Sequence, residues 1–142
     1  IDADDQHHPG DISVLLTHML REEADIVIGN RFANRQNLIP GPRRIFNLVA
    51  NCITFLISRK WVNDTQSGIK LMNRSALETL DININGFGFC SEMVIRSSKW
   101  RLKLIEAPVH VLYTRESVAK GQNIWNGIRT ALDVIENFLI KI

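Results

Sequence analysis

Two acidic side chains stand close together at the start of the sequence. Asp2 and Asp4 are two residues apart, so at the end of an extended strand both carboxylates project to the same side. They repel each other unless a positive charge lies between them. Mg²⁺ or Mn²⁺ suits this position, because such ions take one or two protein carboxylates and complete their shell with water and substrate phosphates. Gln6 adds a carbonyl oxygen; the alternative is a pair of solvated acids.

Histidine and cysteine offer a competing metal chemistry. His7 and His8 invite a zinc site, but adjacent residues diverge in a strand or turn, and no further Cys or His has ligand spacing. Cys52 and Cys90 stand among apolar residues without a CxxC pattern. Buried thiols in a reducing compartment are therefore expected, rather than a disulfide.

Three arginines in or beside loops are candidates for phosphate binding. Arg31 follows a short β-branched run, and Arg43 and Arg44 stand where a helix is predicted to begin. A guanidinium fork holds phosphate oxygens well. The alternative is that the pair merely faces solvent. A positive charge at a helix start opposes the helix dipole, which favours a functional reason for the pair.

The elements that must position these residues alternate between strand and helix. A turn at Pro9-Gly10-Asp11, with a possible N-cap, precedes an amphipathic helix, and 25–29 is predicted as a buried strand. This order indicates an α/β domain. The further predicted elements are a loop at 33–42, a helix at 45–56, a loop at 63–68, a strand at 69–72, helices from residue 75 and over 89–100, and a strand over 102–113 that Pro108 places at an edge or a bulge.

Size and composition fit one domain of this kind. The chain has 142 residues and is 45% hydrophobic, and its 17 basic and 15 acidic residues give a net charge of +2, which does not indicate nucleic-acid binding. The longest apolar stretch, 48–57, is shorter than the roughly 20 residues of a spanning helix and is predicted to be a buried helix. The last segment places its apolar residues on one face, so it is predicted to pack on its own domain or to lie on a membrane surface or partner.

Six sequence blocks add a more specific signal through their order. They are DADDQHHPGDI at 2–12, DIVIGNRF at 25–32, Arg43-Arg44 through Asn47 and Asn51, DTQSGIK at 64–70, GFGFCSEM at 86–93 and EAPV at 106–109. Together they resemble family 2 glycosyltransferases, most closely the dolichyl-phosphate mannosyltransferase-like and other polyprenyl-phosphate enzymes.

The resemblance implies a fold and a domain division. Residues 1–121 are expected to form the C-terminal portion of a GT-A (Rossmann-like) nucleotide-diphospho-sugar transferase domain, a mixed sheet flanked by helices that begins at the strand of the acidic triplet. Residues 122–142 are expected to form an amphipathic helix. The resemblance implies a nucleoside-binding half that would precede Ile1, so a fragment is expected, and an inactive fragment or interaction module is the non-enzymatic alternative.

The same resemblance implies a reaction. A sugar would pass, with inversion and metal dependence, from a nucleotide-diphosphate sugar to a polyprenyl (dolichyl or undecaprenyl) phosphate at the cytoplasmic membrane face; transfer to a sugar hydroxyl is the enzymatic alternative. Glu92 matches the acid that acts as base with hydroxyl acceptors, or it pairs with a nearby arginine. Asp64 shapes an acceptor loop or caps a turn. The implied sites are Asp2, Asp4 and Gln6 for Mg²⁺ or Mn²⁺, Arg31 and Glu92 for catalysis, and Arg43, Arg44, Asp64, Ser67, Ser117 and Lys120 for substrate, although the local order around Ser117 and Lys120 departs from the family pattern.

Overall fold

A computed structural model describes residues 1–2, 6–82 and 88–113. Asp4, Ser117, Lys120 and the helix predicted at 122–142 lie outside these ranges. The elements are α1 (Asp11–Glu22), β1 (Ile26–Asn30), α2 (Gly41–Ser58), β2 (Lys70–Met72), α3 (Arg74–Thr79), α4 (Gly88–Lys99) and β3 (Leu104–Pro108). All seven were predicted, with boundaries that differ by a few residues.

The described strands form one mixed sheet in the order β2-β1-β3. β1 pairs antiparallel with β2, with Val27 opposite Leu71, and parallel with β3, with Val27 opposite Ile105. β3 is an edge strand of this sheet and ends at Pro108, as predicted from the missing backbone donor of proline. All five residues of β1 are buried, which explains why polar Asn30 comes only after the apolar run Ile26–Gly29.

Two hydrophobic clusters cover the two faces of the sheet. Successive side chains of a strand point to opposite faces, so Ile26 and Ile28 pack into one cluster and Val27 into the other. α3 and α4 supply Ala76, Met93 and Val94 to the first cluster, and α1 supplies Leu15 and Met19 to the second. A mixed sheet with helices on both faces is the α/β architecture expected of part of a GT-A domain.

The predicted N-cap at the start of α1 is replaced by a tertiary contact. Gly10 occupies the cap position and makes no side-chain cap bond. The buried carboxylate of Asp11 instead accepts a bond from the His110 backbone N–H at 3.0 Å, and its second oxygen lies 3.1 Å from His110 Nδ1. The contact ties the first turn of α1 to the segment after β3.

α2 has the opposite polarity from the one predicted. The stretch at 48–57 is helical, but the expectation of a buried apolar helix was wrong. The buried side chains of α2 are Asn47, Asn51, Thr54 and Ser58, which are all polar. Cys52 was predicted to be a buried thiol and is exposed, while Cys90 is partly buried. In the described part of the chain, no helix has the length and apolar content required to cross a bilayer.

Candidate functional site

Arg31 and Asp64 form a buried ion pair beside the end of β1. Arg31 Nε donates to Asp64 Oδ2 at 2.8 Å and Nη2 donates to Oδ1 at 2.7 Å. The backbone N–H of Arg31 also donates to Oδ2, at 2.8 Å. Burial opposes the charge of Arg31, but the bonds and the negative charge of Asp64 outweigh it and raise the pKa of the guanidinium above its ordinary value. The pair fixes the start of the loop at 63–68 against β1.

Tyr113 connects this ion pair to the start of α2. Arg31 Nη1 donates to the Tyr113 hydroxyl at 3.1 Å. The guanidinium of Arg43 lies over the Tyr113 ring, 4.9 Å from its centroid, which is cation–π geometry. Arg44 Nε donates to the backbone carbonyl of Ile39 at 3.1 Å. Of the predicted phosphate-binding arginines, Arg31 and Arg43 therefore meet through one tyrosine, whereas Arg44 holds the loop before α2.

The inward polar face of α2 holds the same loop from a second side. Asn47 and Asn51 each donate from Nδ2 to the Asn63 carbonyl, both at 2.7 Å. Asn51 Oδ1 accepts from the Thr65 hydroxyl at 2.7 Å and from its backbone N–H at 3.2 Å. The two asparagine side chains thus provide hydrogen bonds to backbone groups of the loop that no strand or helix satisfies. Polar backbone groups that are buried need such partners.

Glu106 of β3 holds the loop from a third side. Its Oε1 accepts from the backbone N–H groups of Asn63, at 3.1 Å, and Asp64, at 3.0 Å. Its Oε2 accepts from Asn63 Nδ2 at 2.7 Å. A carboxylate that binds two successive N–H groups fixes the turn between them.

The far end of the loop lines a cavity of about 400 Å³. Gly68 accepts a backbone bond from Asp2 at 2.9 Å, and the Asp2 carboxylate approaches its Cα so closely that a Cβ there would overlap it. Lys70 Nζ donates to the Ser67 carbonyl and lies 3.3 Å from Cys90 Sγ. The wall consists of Ile1, Asp2, Gln66, Ser67, Gly68, Lys70, Met72, Phe89 and Cys90.

Two members of the predicted metal set, Asp2 and Gln6, lie within the described residues. The Asp2 carboxylate lines the cavity, whereas Gln6 is buried and its backbone carbonyl accepts from Leu112 at 2.9 Å. Asp4 lies outside the described residues. Within residues 1–2, 6–82 and 88–113, no three His, Cys, Asp or Glu side chains are grouped as metal ligands.

Glu92 lies on α4 and pairs on its own helix. Only 1% of Glu92 is exposed, and Arg96 Nε donates to its Oε1 at 2.7 Å. Of the two readings left open by the sequence, pairing with a nearby arginine matches this contact. The neighbouring Ser91 Oγ accepts from Gln66 Nε2 at 3.3 Å, so α4 also contacts the loop.

Sequence patterns named the loop but missed the residues that hold it. The sequence analysis assigned no role to three residues within the family-resembling blocks, Asn47, Asn51 and Glu106. It predicted Tyr113 only as the last residue of a strand. A signal existed for the asparagines: they are four residues apart on a helix that is otherwise mostly apolar, so they share one face.

The order of blocks along the chain agrees with a comparison against known families. The sequence profile described as glycosyl transferase family 2 matches residues 1–81, which is more than half of the chain. The chain belongs to glycosyl transferase family 2. The matched part includes the Arg31–Asp64 pair and Gly68, and the later contacts from Glu92, Glu106 and Tyr113 lie beyond it.

Three individual relatives are similar to most of the chain. The chain is 33% identical over 138 residues to the uncharacterized protein MJ1222 of Methanocaldococcus jannaschii, covering 94% of the chain and 57% of the relative. It is 33% identical over 132 residues to the UDP-N-acetylglucosamine–dolichyl-phosphate N-acetylglucosaminyltransferase of Methanococcus voltae, covering 90% of the chain and 53% of that enzyme. It is 26% identical over 133 residues to the low-salt glycan biosynthesis hexosyltransferase Agl6 of Haloferax volcanii, covering 90% of the chain and 32% of that protein.

The chain spans about half the length of the first two relatives. No solved structure matches it.

Proposed function

We propose that the protein takes part in transferring a sugar from a nucleotide-diphosphate sugar to a polyprenyl phosphate, with inversion at the sugar carbon and with Mg²⁺ or Mn²⁺. The observation that carries the proposal is the loop at 63–68. At one end Asp64 is bound to Arg31, which meets Arg43 through Tyr113. At the other end Ser67 and Gly68 line the cavity that holds the Asp2 carboxylate. One hydrogen-bonded loop thus connects the Arg31–Tyr113–Arg43 group to the cavity that contains the Asp2 carboxylate.

The cavity is the proposed position of the donor diphosphate. The Asp2 carboxylate is exposed on its wall and offers the oxygen donor that Mg²⁺ or Mn²⁺ prefers, with Asp4 as its proposed second ligand. Gln6, which is buried, remains the predicted third ligand. When bound, the cation supplies Lewis-acid stabilisation of the charge on the departing diphosphate. Lys70, on the same wall, adds a positive charge of the protein's own.

The transfer exchanges one bond for another. An oxygen of the acceptor phosphate forms a bond to the anomeric carbon, and the bond from that carbon to the diphosphate breaks on the opposite face, releasing a nucleoside diphosphate. A phosphate acceptor is already ionised, so the step needs no general base. The pairing of buried Glu92 with Arg96 agrees with a route in which Glu92 takes no proton.

Arg43 and Arg44 are the proposed binding residues for the acceptor phosphate. They lie together in the first turn of α2, where Arg43 is positioned by the Tyr113 ring. Guanidinium groups bind phosphate oxygens in a bidentate manner. Arg31 is proposed to position these two arginines rather than to bind the phosphate itself. Its guanidinium donates to Asp64 and Tyr113. Ser117 and Lys120 remain predicted substrate contacts.

A sugar-hydroxyl acceptor is the second candidate. It is supported by the similarity to Agl6, whose name describes a hexosyltransferase of glycan biosynthesis. A hydroxyl acceptor has to lose a proton, so Glu92 would then act as general base.

One experiment separates the two acceptors. Purified full-length protein is incubated with radiolabelled nucleotide sugars, Mg²⁺ or Mn²⁺, and either polyprenyl phosphate or an oligosaccharide, and Glu92→Gln is assayed beside the wild type. We expect label in the polyprenyl product, abolished by EDTA and by Asp2→Asn, with kcat for Glu92→Gln within about tenfold of wild type. Transfer only to the oligosaccharide, lost by 100-fold or more in Glu92→Gln, would establish the second candidate. No transfer to either acceptor would refute both.

A further inference from the structure

Lys70 and Cys90 meet on the wall of the cavity. Lys70 is the first residue of β2 and lies opposite Ile28 of β1. Residues directly opposite each other on paired strands project to the same face of a sheet, so Lys70 points to the face that α3 and α4 cover. Its Nζ lies 3.3 Å from the Sγ of Cys90, which is in the first turn of α4. The strand thus places an amine nitrogen directly beside the sulfur of a helix.

The pair can be reached from the cavity. Both side chains line this space of about 400 Å³, and Cys90 is only partly buried. A cavity of this size admits a molecule as small as hydrogen peroxide. Cys52, the second cysteine of the chain, is exposed on α2 and lies outside the cavity wall. The two free thiols therefore differ in the groups that surround them.

Positive charge lies near the Cys90 sulfur from two directions. The Lys70 ammonium is held there by a second contact, because Nζ also donates to the Ser67 carbonyl. The N-terminal end of α4, which is 12 residues long, supplies the positive end of a helix dipole. Cysteine attacks an oxidant as the thiolate. Negative charge at the sulfur is therefore stabilised during such an attack.

We propose that Lys70 and Cys90 form a redox-sensitive modification site, at which hydrogen peroxide joins Sγ to Nζ in a sulfenamide. In the first step the thiolate attacks one peroxide oxygen and the O–O bond breaks. Two electrons pass from sulfur to peroxide, and the departing hydroxide takes a proton from the Lys70 ammonium and leaves as water. The products are a sulfenic acid on Cys90 and a neutral amine on Lys70.

The second step closes the link. The Lys70 amine attacks the sulfur of the sulfenic acid, the N–S bond forms and the S–O bond breaks, and the hydroxyl leaves as water with one proton of the amine. One thiolate, one ammonium and one peroxide thus give one S–N link and two waters. Two molecules of an added thiol reverse the link by forming a disulfide between themselves. Sulfenic acids condense with a nearby thiol or nitrogen, and Lys70 is already in contact with the sulfur.

This inference rests on the proposed function and adds a means of regulation to the same site. The proposed function uses the positive charge of Lys70 beside the donor diphosphate. The linked nitrogen is neutral and is bound to α4, so the cavity loses that charge. Peroxide would therefore switch off donor binding, and a thiol reductant would restore it.

Mass spectrometry of the peroxide-treated full chain tests the link directly. We expect an intact mass lower by two hydrogen atoms, joined peptides that contain Lys70 and Cys90, and no tryptic cleavage after Lys70. Dithiothreitol should reverse all three changes. Lys70→Arg should form no link and leave a sulfinic acid on Cys90, because the guanidinium keeps its proton. Cys52→Ser and Lys103→Arg are the matched controls, in which the link should form as in the wild type.

Nucleotide binding tests the consequence of the link. Calorimetric titration with UDP and with GDP, each with Mn²⁺, is carried out on reduced, peroxide-treated and re-reduced protein. Binding should be at least about tenfold weaker after peroxide, as expected for the loss of one charged contact, and should recover with dithiothreitol. Peroxide should not change binding by Cys90→Ser. Recovery excludes oxidation of Met72 on the same wall, since a methionine sulfoxide is reversed by dedicated reductases.

Three results would overturn the inference. They are a sulfinic acid on Cys90 beside an unmodified Lys70 in the wild type, a link from Cys90 to another residue, and linked protein that binds nucleotide as tightly as reduced protein. The mass measurement needs no nucleotide sugar, so a link in a protein without transfer activity would refute the proposed function alone. Sugar transfer by a protein in which peroxide forms no link would refute the inference alone.

Discussion

Asp64 accepts three hydrogen bonds from Arg31, one from its backbone N–H and two from its guanidinium. With the bond to Tyr113, three of the five guanidinium N–H groups have partners among the described residues. Arg31 was predicted from sequence to contact substrate, and that role stays a prediction. The geometry gives Arg31 a definite structural task, which is to hold the loop that begins at Asp64.

Removing the charge of Asp64 is expected to destabilise the fold strongly. Asp64→Asn leaves the buried guanidinium of Arg31 without its counter-ion, and breaking a buried pair in this way costs about 3–5 kcal/mol. Urea unfolding followed by circular dichroism measures the change. Replacing both partners, as in Arg31→Met with Asp64→Leu, should cost less than Asp64→Asn alone, because no buried charge is then left unpaired.

An exposed ion pair provides the control for Asp64. Arg74 and Glu78 lie one helical turn apart and pair at 2.7 Å, with 90% and 63% of their side chains exposed. Glu78→Gln should change stability by less than about 0.5 kcal/mol. An Asp64→Asn protein as stable as Glu78→Gln would show that the buried pair does not hold the loop.

Glu106 is expected to be needed for the same loop. Glu106→Gln keeps the shape of the side chain but replaces a charged acceptor of two backbone N–H groups and one amide by a neutral one, which should cost about 1–3 kcal/mol. Amide hydrogen exchange should rise at Asn63 and Asp64 and remain unchanged in α1. Unchanged protection at those two amides would contradict the role assigned to Glu106.

Local sequence signals were sufficient for the elements of the fold. Proline and glycine marked the loop before α2, and a β-branched run closed by Gly29 marked β1, because turns and buried strands are dictated by neighbouring residues. The site depends instead on long-range contacts. Glu106 accepts a hydrogen bond from Asn63, which is 43 positions earlier in the chain. The sequence near either residue does not predict this contact.

The polarity of α2 shows a second limit of sequence patterns. Periodicity identifies two faces of a helix but does not state which face lies against the protein, and the usual assumption of an inward apolar face was wrong here. The polar face of α2 points inward because the backbone of the loop at 63–68 needs hydrogen-bond partners. Asn47 and Asn51 supply those bonds, which leucine or isoleucine could not.

The inner face of α2 also contains a correctable defect. The hydroxyl of Thr54 is buried and, within the described part of the chain, has no hydrogen-bond partner. Thr54→Val replaces it by a methyl group of nearly the same size, so the unfolding free energy should rise by about 1 kcal/mol. Thr17→Val is the comparison, because the exposed Thr17 hydroxyl donates to the Ser13 carbonyl at 2.8 Å. A destabilised Thr54→Val protein would indicate a bound water or another partner at this hydroxyl.

Gly68 is expected to determine the position of Asp2. A Cβ on Gly68 would overlap the Asp2 carboxylate, so Gly68→Ala should push that carboxylate away from the cavity wall. If Asp2 binds the catalytic cation, the Mn²⁺ concentration that gives half-maximal transfer should rise at least about tenfold. Gly41→Ala is the matched control, because nothing lies within 4 Å of a Cβ built there.

Calorimetric titration of nucleotide with and without Mn²⁺ gives a second measurement, in which Gly68→Ala should weaken only the metal-dependent part of binding. Equal weakening in both titrations would assign the clash to the nucleotide pocket rather than to a metal ligand.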